Sequence, residues 1–216
     1  MFFQIQRSLL LRYGWLRAWW QDRPVDASGN PLPWITYPAI DYLSQFDFSE
    51  ASIFEWGSGF STLWWSKRCR SITTVESNPQ WVPYIQKLLP DSVELIVTLQ
   101  SVDAQIDALF ERHTAEHDVF VIDNYGSFRW RCAEAAAQNL TIGGIIILDN
   151  SDQCQRACAV LRDSGFSQID FTGFVPGGGY AHTTSIFFRN SIKFQVLGAL
   201  RPQLSVAQPN PPWDGC

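Results

Sequence analysis

The stretch Ser52-Ile53-Phe54-Glu55-Trp56-Gly57-Ser58-Gly59-Phe60-Ser61-Thr62 decides the fold. It reads as a buried strand carrying an acid, then a glycine turn, then the start of a helix. Gly57 and Gly59 supply backbone that can take positive φ and approach a ligand closely, and Ser61 and Thr62 are residue types that cap a following helix. Fourteen residues after Thr62 a second strand-like run, Ser71-Ile72-Thr73-Thr74-Val75-Glu76, ends in an acid. An acid closing the next strand is placed to accept hydrogen bonds from a ribose diol. Together the two segments predict a nucleoside-cofactor site.

Nicotinamide dinucleotides also use glycine turns, so details must separate the cofactors. A dinucleotide fingerprint has a third glycine for tight helix packing and turns a helix N-terminus toward a pyrophosphate. Here Thr62 stands at the third position. The acid two residues before the first glycine repels a pyrophosphate but suits an amino acid's ammonium group. Glu55 therefore favours a ligand with a cationic amino-acid end.

The pattern Glu55-x-Gly57-Ser58-Gly59-x-Ser61-Thr62 followed by Glu76 resembles the cofactor site of class I S-adenosylmethionine-dependent methyltransferases, over roughly residues 36–190 as a pattern of elements. The resemblance implies that Glu55 and the glycine loop hold the methionine part of S-adenosylmethionine and that Glu76 holds the ribose hydroxyls. It also implies a Rossmann-like three-layer α/β sandwich.

Composition sets the outer limits with a globular profile. A chain of 216 residues, 46% hydrophobic and 17% charged, can bury the core of one domain with extensions. A net charge of −5 with no Lys/Arg run gives no basic face for nucleic-acid backbone. The five cysteines, Cys69, Cys132, Cys154, Cys158 and Cys216, contain no Cys-x-x-Cys, so neither a disulfide framework nor a zinc site is indicated and a reducing cytoplasm fits.

Three units are expected: an N-terminal amphipathic helix and linker over residues 1–36, a methyltransferase domain over 37–200, and a Pro-rich tail over 201–216. Met1 to Trp20 mixes apolar residues with Arg7, Arg12 and Arg17, without the unbroken apolar core of a signal peptide, and no stretch reaches the ~18 continuous apolar residues of a spanning helix. It reads either as a membrane-surface or partner-docking helix or as a helix packed on the core or on a second copy in a homodimer. The modest basic charge favours packing. Asp22 to Pro33 is a linker, and a short helix begins near Pro38, with Trp34, Thr36 and Tyr37 candidates to line a site.

From residue 51 strands and helices alternate, the signature of a parallel sheet covered on both faces. Strands are expected near 51–56, 71–76, 92–97, 118–123 and 143–149, with helices near 61–69, 79–89, 103–112, 128–140 and 153–164. Phe166–Phe174 and Thr183–Arg189 leave no room for a helix between them. They predict an antiparallel hairpin closing a mostly parallel seven-stranded sheet. Residues 191–200 are expected to form a last short helix.

Ligands bind at the carboxyl ends of such strands. There stand Asp123, followed by Tyr125, and the pair Asp149-Asn150. This arrangement is similar to metal-dependent O-methyltransferases of the catechol and caffeoyl type, which implies Mg2+ or Ca2+ on Asp123, Asp149 and Asn150. Gly126, however, stands where those enzymes carry a catalytic lysine. In the other reading Asp123 contacts cofactor or substrate directly and Asp149-Asn150 caps the next helix. His182, beside Tyr180 in the glycine-rich hairpin loop, is the candidate base, with Asp123 as the other catalytic candidate. Tyr37, Tyr125, Asp149, Asn150 and Tyr180 are the candidate substrate contacts. His113 and His117, at the amino side of strand four, are expected on the surface. The expected activity is methylation, of oxygen first, on a small molecule or glycan. A nicotinamide-dependent oxidoreductase and a non-catalytic binding module on the same fold are the alternatives.

Overall fold

The structure, a computed structural model, describes residues 7–110, 116–124, 128–195 and 197. Seven strands, β1 (Ser52–Trp56), β2 (Ser71–Glu76), β3 (Val93–Val97), β4 (His117–Ile122), β5 (Leu140–Leu148), β6 (Ser167–Phe174) and β7 (Ala181–Phe188), form one sheet in the order β3-β2-β1-β4-β5-β7-β6. The first five run parallel, whereas β7 lies antiparallel between β5 and β6.

Side-chain parity divides the sheet into two faces. Phe54, Trp56, Phe120, Ile122, Ile146 and Leu148 enter one core cluster, with Ala133, Ala136 and Leu161. These last come from α6 (Arg129–Asn139) and α7 (Gln155–Asp163). Ile53, Val119, Val121, Ile145 and Ile147 enter the other, with Ile40 and Leu43 of α2 (Tyr37–Leu43) and Trp64 and Trp65 of α3 (Phe60–Trp65). Covering both faces is why the central strands read as unbroken apolar runs. Each such fully buried side chain contributes about 1.5–3 kcal/mol.

The helix between β2 and β3 is shorter than expected. Only α4 (Val82–Ile85) is α-helical; its flanks mix three-residue closures, Tyr84 N to Trp81 O and Leu88 N to Ile85 O, with four-residue ones, Val82 N to Asn78 O and Leu89 N to Ile85 O. The helix between β3 and β4, α5 (Val102–Phe110), matches its expected span as far as residue 110, and residues 111–115 lie outside the described residues.

The amino-terminal expectation needs correcting. Among the described residues it is not one helix but a π-helical turn, Arg7–Arg12, and a separate α1 (Trp15–Gln21), broken at Gly14. Gly14 has φ 80° and lies against the loop ahead, where a Cβ would stand 2.3 Å from Ala27 N. The segment Asp22–Pro33 doubles back through a Val25–Pro31 bridge. Ala18 and Val25 pack on Phe60, and the Trp15 indole donates to Gly178 O at 2.8 Å. The amino-terminal elements thus lie against the sheet domain through a few contacts, while Leu11, Leu16, Trp19 and Trp20 stay exposed.

The last helix is also corrected. Residues 191–195 form none, because their backbone pairs elsewhere: Lys193 N with Gly143 O and Gln195 O with Asp47 N. The Lys193 ammonium is drawn to Asp118, a buried carboxylate that also accepts from Ser52 N at 2.9 Å and Thr141 Oγ1 at 2.7 Å. Burial works against that carboxylate's charge, but these donors hold its pKa down at about 2. Residues 201–216 lie outside the described residues.

Candidate functional site

The carboxyl ends of β1, β2 and β4 open into a cleft of about 600 Å³. Its floor is the glycine turn. Gly57 has φ 102°, and a Cβ there would come within 2.7 Å of Asp123 O, so this position requires glycine on both counts. Gly57 N bonds Val75 O at 2.9 Å and Asp123 N bonds Trp56 O at 3.0 Å, stitching the turn between neighbouring strand ends. Gly57, Ser58, Gly59, Ser61, Glu76 and Asp123 all line the cleft.

Glu76 ends β2 with its carboxylate facing this space. It accepts Ser77 N and Asn78 N at 2.8 Å and Ser58 N at 3.2 Å. Burial raises its pKa and the three backbone donors pull it back. Trp81 holds the turn from the side through its indole bond to Ser58 O at 2.8 Å.

Glu55 and Thr62, expected at the amino-acid end of the ligand, do not line the cleft; both are wholly buried behind the turn. Thr62 Oγ1 accepts from Gly59 N at 2.9 Å and donates to Glu55 Oε2. Thr74, the register partner of Glu55 on β2, donates to the same oxygen at 3.0 Å and contacts Ser58 Oγ at 2.8 Å. Glu55 Oε1 has no hydrogen-bond partner. Burial pushes this carboxyl up to about 7, against the lowering effect of hydrogen bonds from Ser61, Thr62 and Thr74.

Past Asp123, two pairs of groups fill the ends of β4 and β5. Asp149 Oδ1 accepts from Thr184 Oγ1 at 2.6 Å and faces His182 Nε2 at 3.1 Å. Both His182 and Asp149 are buried, and His182 Nδ1 has no partner. Burial lowers the imidazole pKa, but the bond to Asp149 and the charges of Asp149, Asp152 and Asp123 outweigh it and leave it above the ordinary value. The Tyr180 ring lies 6.2 Å from the imidazole and is largely exposed.

The second group is Arg129. Its guanidinium bonds Asp123 Oδ1 at 3.1 Å, Asn150 Oδ1 at 3.2 Å, Asp149 O at 2.5 Å and, through Nε, Asn124 O at 2.7 Å. Burial and the neighbouring Asp149 carboxylate raise the Asp123 pKa while Arg129 works against them. With 27% of the Asp123 side chain open, the rise is smaller than full burial gives. These contacts correct the metal reading and the helix-cap reading of the strand ends, while Asp123 keeps its place in the cleft lining. The residues do not fit a divalent ion, because Arg129 occupies the donor oxygens and the Asp149 carboxylate is turned to His182. No three His, Cys, Asp or Glu among the described residues converge as metal ligands. Nor do Asp149 and Asn150 cap the next helix, whose N-cap is Cys154.

Other expected residues lie elsewhere. Tyr37 is buried against Tyr13, with ring centroids 4.6 Å apart, beside a separate cavity that also touches Asp41 and Trp64. Thr36 is buried too, donating to Phe171 O at 2.8 Å. Trp34 does border the cleft. Tyr125, Gly126 and His113 lie outside the described residues. His117 is half-buried rather than on the surface, its ring between Phe54 and Phe120, and burial pulls its pKa to about 4.

Sequence reasoning missed Arg129 and the Gln21–Pro24 wall of the cleft. Arg129 carried one signal, since a cation in the first turn of a helix opposes the macrodipole and needs a reason. The wall carried none, because it depends on how the amino-terminal segment folds back.

The sheet order, with a strand running antiparallel between β5 and β6, departs from an all-parallel dinucleotide fold. This is the class I methyltransferase fold. The precorrin-6y C5,15-methyltransferase of Geobacter metallireducens GS-15 shares it with a TM-score of 0.55 at 17% identity, over 73% of this chain and 91% of that one. A putative O-methyltransferase from Klebsiella pneumoniae matches with a TM-score of 0.55 at 15% identity, over 72% and 78%. Precorrin 8W decarboxylase of Methanobacterium thermoautotrophicum matches with a TM-score of 0.51 at 19% identity, over 77% and 95%. At these identities the likeness concerns the methyltransferase fold alone. No protein-family model matches the chain, and no curated protein matches it in sequence.

Proposed function

We propose that the protein is a cytoplasmic S-adenosylmethionine-dependent methyltransferase acting on an oxygen of a small molecule or glycan. The observation that carries this reading is the cleft itself. A glycine turn without room for a Cβ faces a carboxylate at the end of β2, within the methyltransferase fold. Glu76 would accept hydrogen bonds from the ribose hydroxyls, and the backbone of Gly57–Gly59 would border the amino-acid end. Trp34, Trp81 and Tyr84 supply apolar walls for a purine.

When bound, the cofactor supplies an activated methyl group on a sulfonium, so the protein's task is placement and proton removal. His182 is the base in this reading. Asp149 accepts from Nε2 and fixes the tautomer, and Nδ1, the nitrogen left for the acceptor's proton, is buried beside the cleft and has to be uncovered as the acceptor binds. Once charged, the imidazolium is stabilised by Asp149 and Asp152. Asp123, at the junction of the cleft and this pair, is the remaining polar contact for cofactor or acceptor.

Calorimetric titration with S-adenosylhomocysteine and, in parallel, NAD tests the reading. Binding of the first and not the second is expected. Saturation by NAD alone would make the chain an oxidoreductase, and a folded protein that binds neither would make it a non-catalytic module.

A further inference from the structure

We propose that Arg129 is a built-in cation at the acceptor end of the site, standing where a divalent ion would otherwise sit and tying the ends of β4 and β5 together. The acceptor role rests on the methyltransferase reading; the cation's place does not.

The donor set carries the argument. A hard divalent ion needs several oxygen ligands with free lone pairs. Asp123 Oδ1, Asn150 Oδ1, Asp149 O and Asn124 O converge on one small volume, and all four accept from the same guanidinium at 2.5–3.2 Å. Two of these oxygens belong to the end of β4 and its exit, two to the residues after β5. A planar fork with five N–H groups can bridge both, which a lysine's point charge cannot do. A metal ion entering this volume meets a fixed positive charge and occupied lone pairs.

The remaining ligand candidate is committed elsewhere. Asp149 directs its Oδ1 to Thr184 and His182, so rotating it toward an ion would leave a buried histidine without its partner. The Arg129 side chain is only 12% exposed, so its charge is held rather than swept through solvent. Its position at the helix start gains nothing from the macrodipole, and the four oxygen contacts supply the stabilisation instead.

The test is a Mn2+ titration followed by electron paramagnetic resonance, with no methyl donor present. Wild-type protein and Arg129→Lys, which keeps a cation, are expected to leave Mn2+ free. Arg129→Ala, verified folded by circular dichroism, is expected to gain roughly tenfold or more in Mn2+ affinity, because a like charge at contact range is removed. The double variant Arg129→Ala/Asp123→Asn is expected to lose that gain. Mn2+ binding by the wild type that Asp123→Asn abolishes would overturn the proposal, as would a folded Arg129→Ala with no gain. The wild-type arm stands even if Arg129→Ala does not fold. Failure of S-adenosylhomocysteine to bind would strike the methyltransferase reading, and Mn2+ binding at Asp123 would strike this one.

Discussion

Replacing Glu55 by glutamine should stabilise the protein in mild alkali and leave it unchanged in mild acid. The unfolded chain ionises this carboxyl at its ordinary value of 4.5, whereas the folded chain holds the proton to about 7. Between those values the folded state binds the extra proton, so stability falls as pH rises through the window and stays lowered above it. A displacement of that size corresponds to about 3 kcal/mol. Glutamine keeps the shape, and its carbonyl can accept from Thr62 and Thr74 as Oε2 does. Its amide then stands where Oε1 already lacks a partner, a defect the protonated acid shares. At pH 5 the two proteins should therefore match within ~1 kcal/mol, and at pH 8 the variant should lead by about 3 kcal/mol. Urea unfolding followed by tryptophan fluorescence measures both, the chain having ten tryptophans. A variant less stable at pH 8, or a difference independent of pH, would refute the claim that burial dominates at Glu55.

Gly57→Ala should destabilise the fold by about 2–5 kcal/mol, from positive-φ strain plus overpacking against Asp123 O, and abolish S-adenosylhomocysteine binding; unchanged urea unfolding would count against the turn geometry. Glu76→Ala should weaken that binding by ~1.5–3 kcal/mol in calorimetry without unfolding the protein, and an unaltered affinity would remove Glu76 from the site. His182 should titrate above 6.5 by NMR and fall when Asp149 becomes asparagine. Its pairing should stabilise the fold below pH 6.5 and fade as pH rises through the folded value, and an Asp149→Asn protein with the same His182 titration would break the proposed dyad.

Much of this was legible in the chain because both-face burial leaves a direct trace. Val119–Ile122 and Ile145–Leu148 are continuous apolar runs, and the missing helix between Phe174 and Ala181 forces the antiparallel ending. The glycine turn and Glu76 were legible for the same local reason, since each requirement falls on a single residue type. Glu55, expected beside the ligand, is buried away from the cleft lining, and strand parity already pointed there. Alternation puts Glu55 on the face of Ile53, under α3, rather than at the open strand end. Gly14 looked like one tolerated helix residue, yet its backbone contact with Asp26 and Ala27 is a tertiary event with no local sign. Arg129 is the same kind of case, as its four partners come from two strand ends that only the folded sheet brings together.

The bond from Trp15 to Gly178 joins residues 163 positions apart. During synthesis the first tryptophan helix leaves the ribosome long before the carbonyl it docks on. Until the final hairpin emerges, the Gln21–Pro24 wall of the cleft lacks this fastening. A nascent chain can thus pair its five parallel strands while this wall of the cleft, already resting on Phe60, still waits for one of its fastenings.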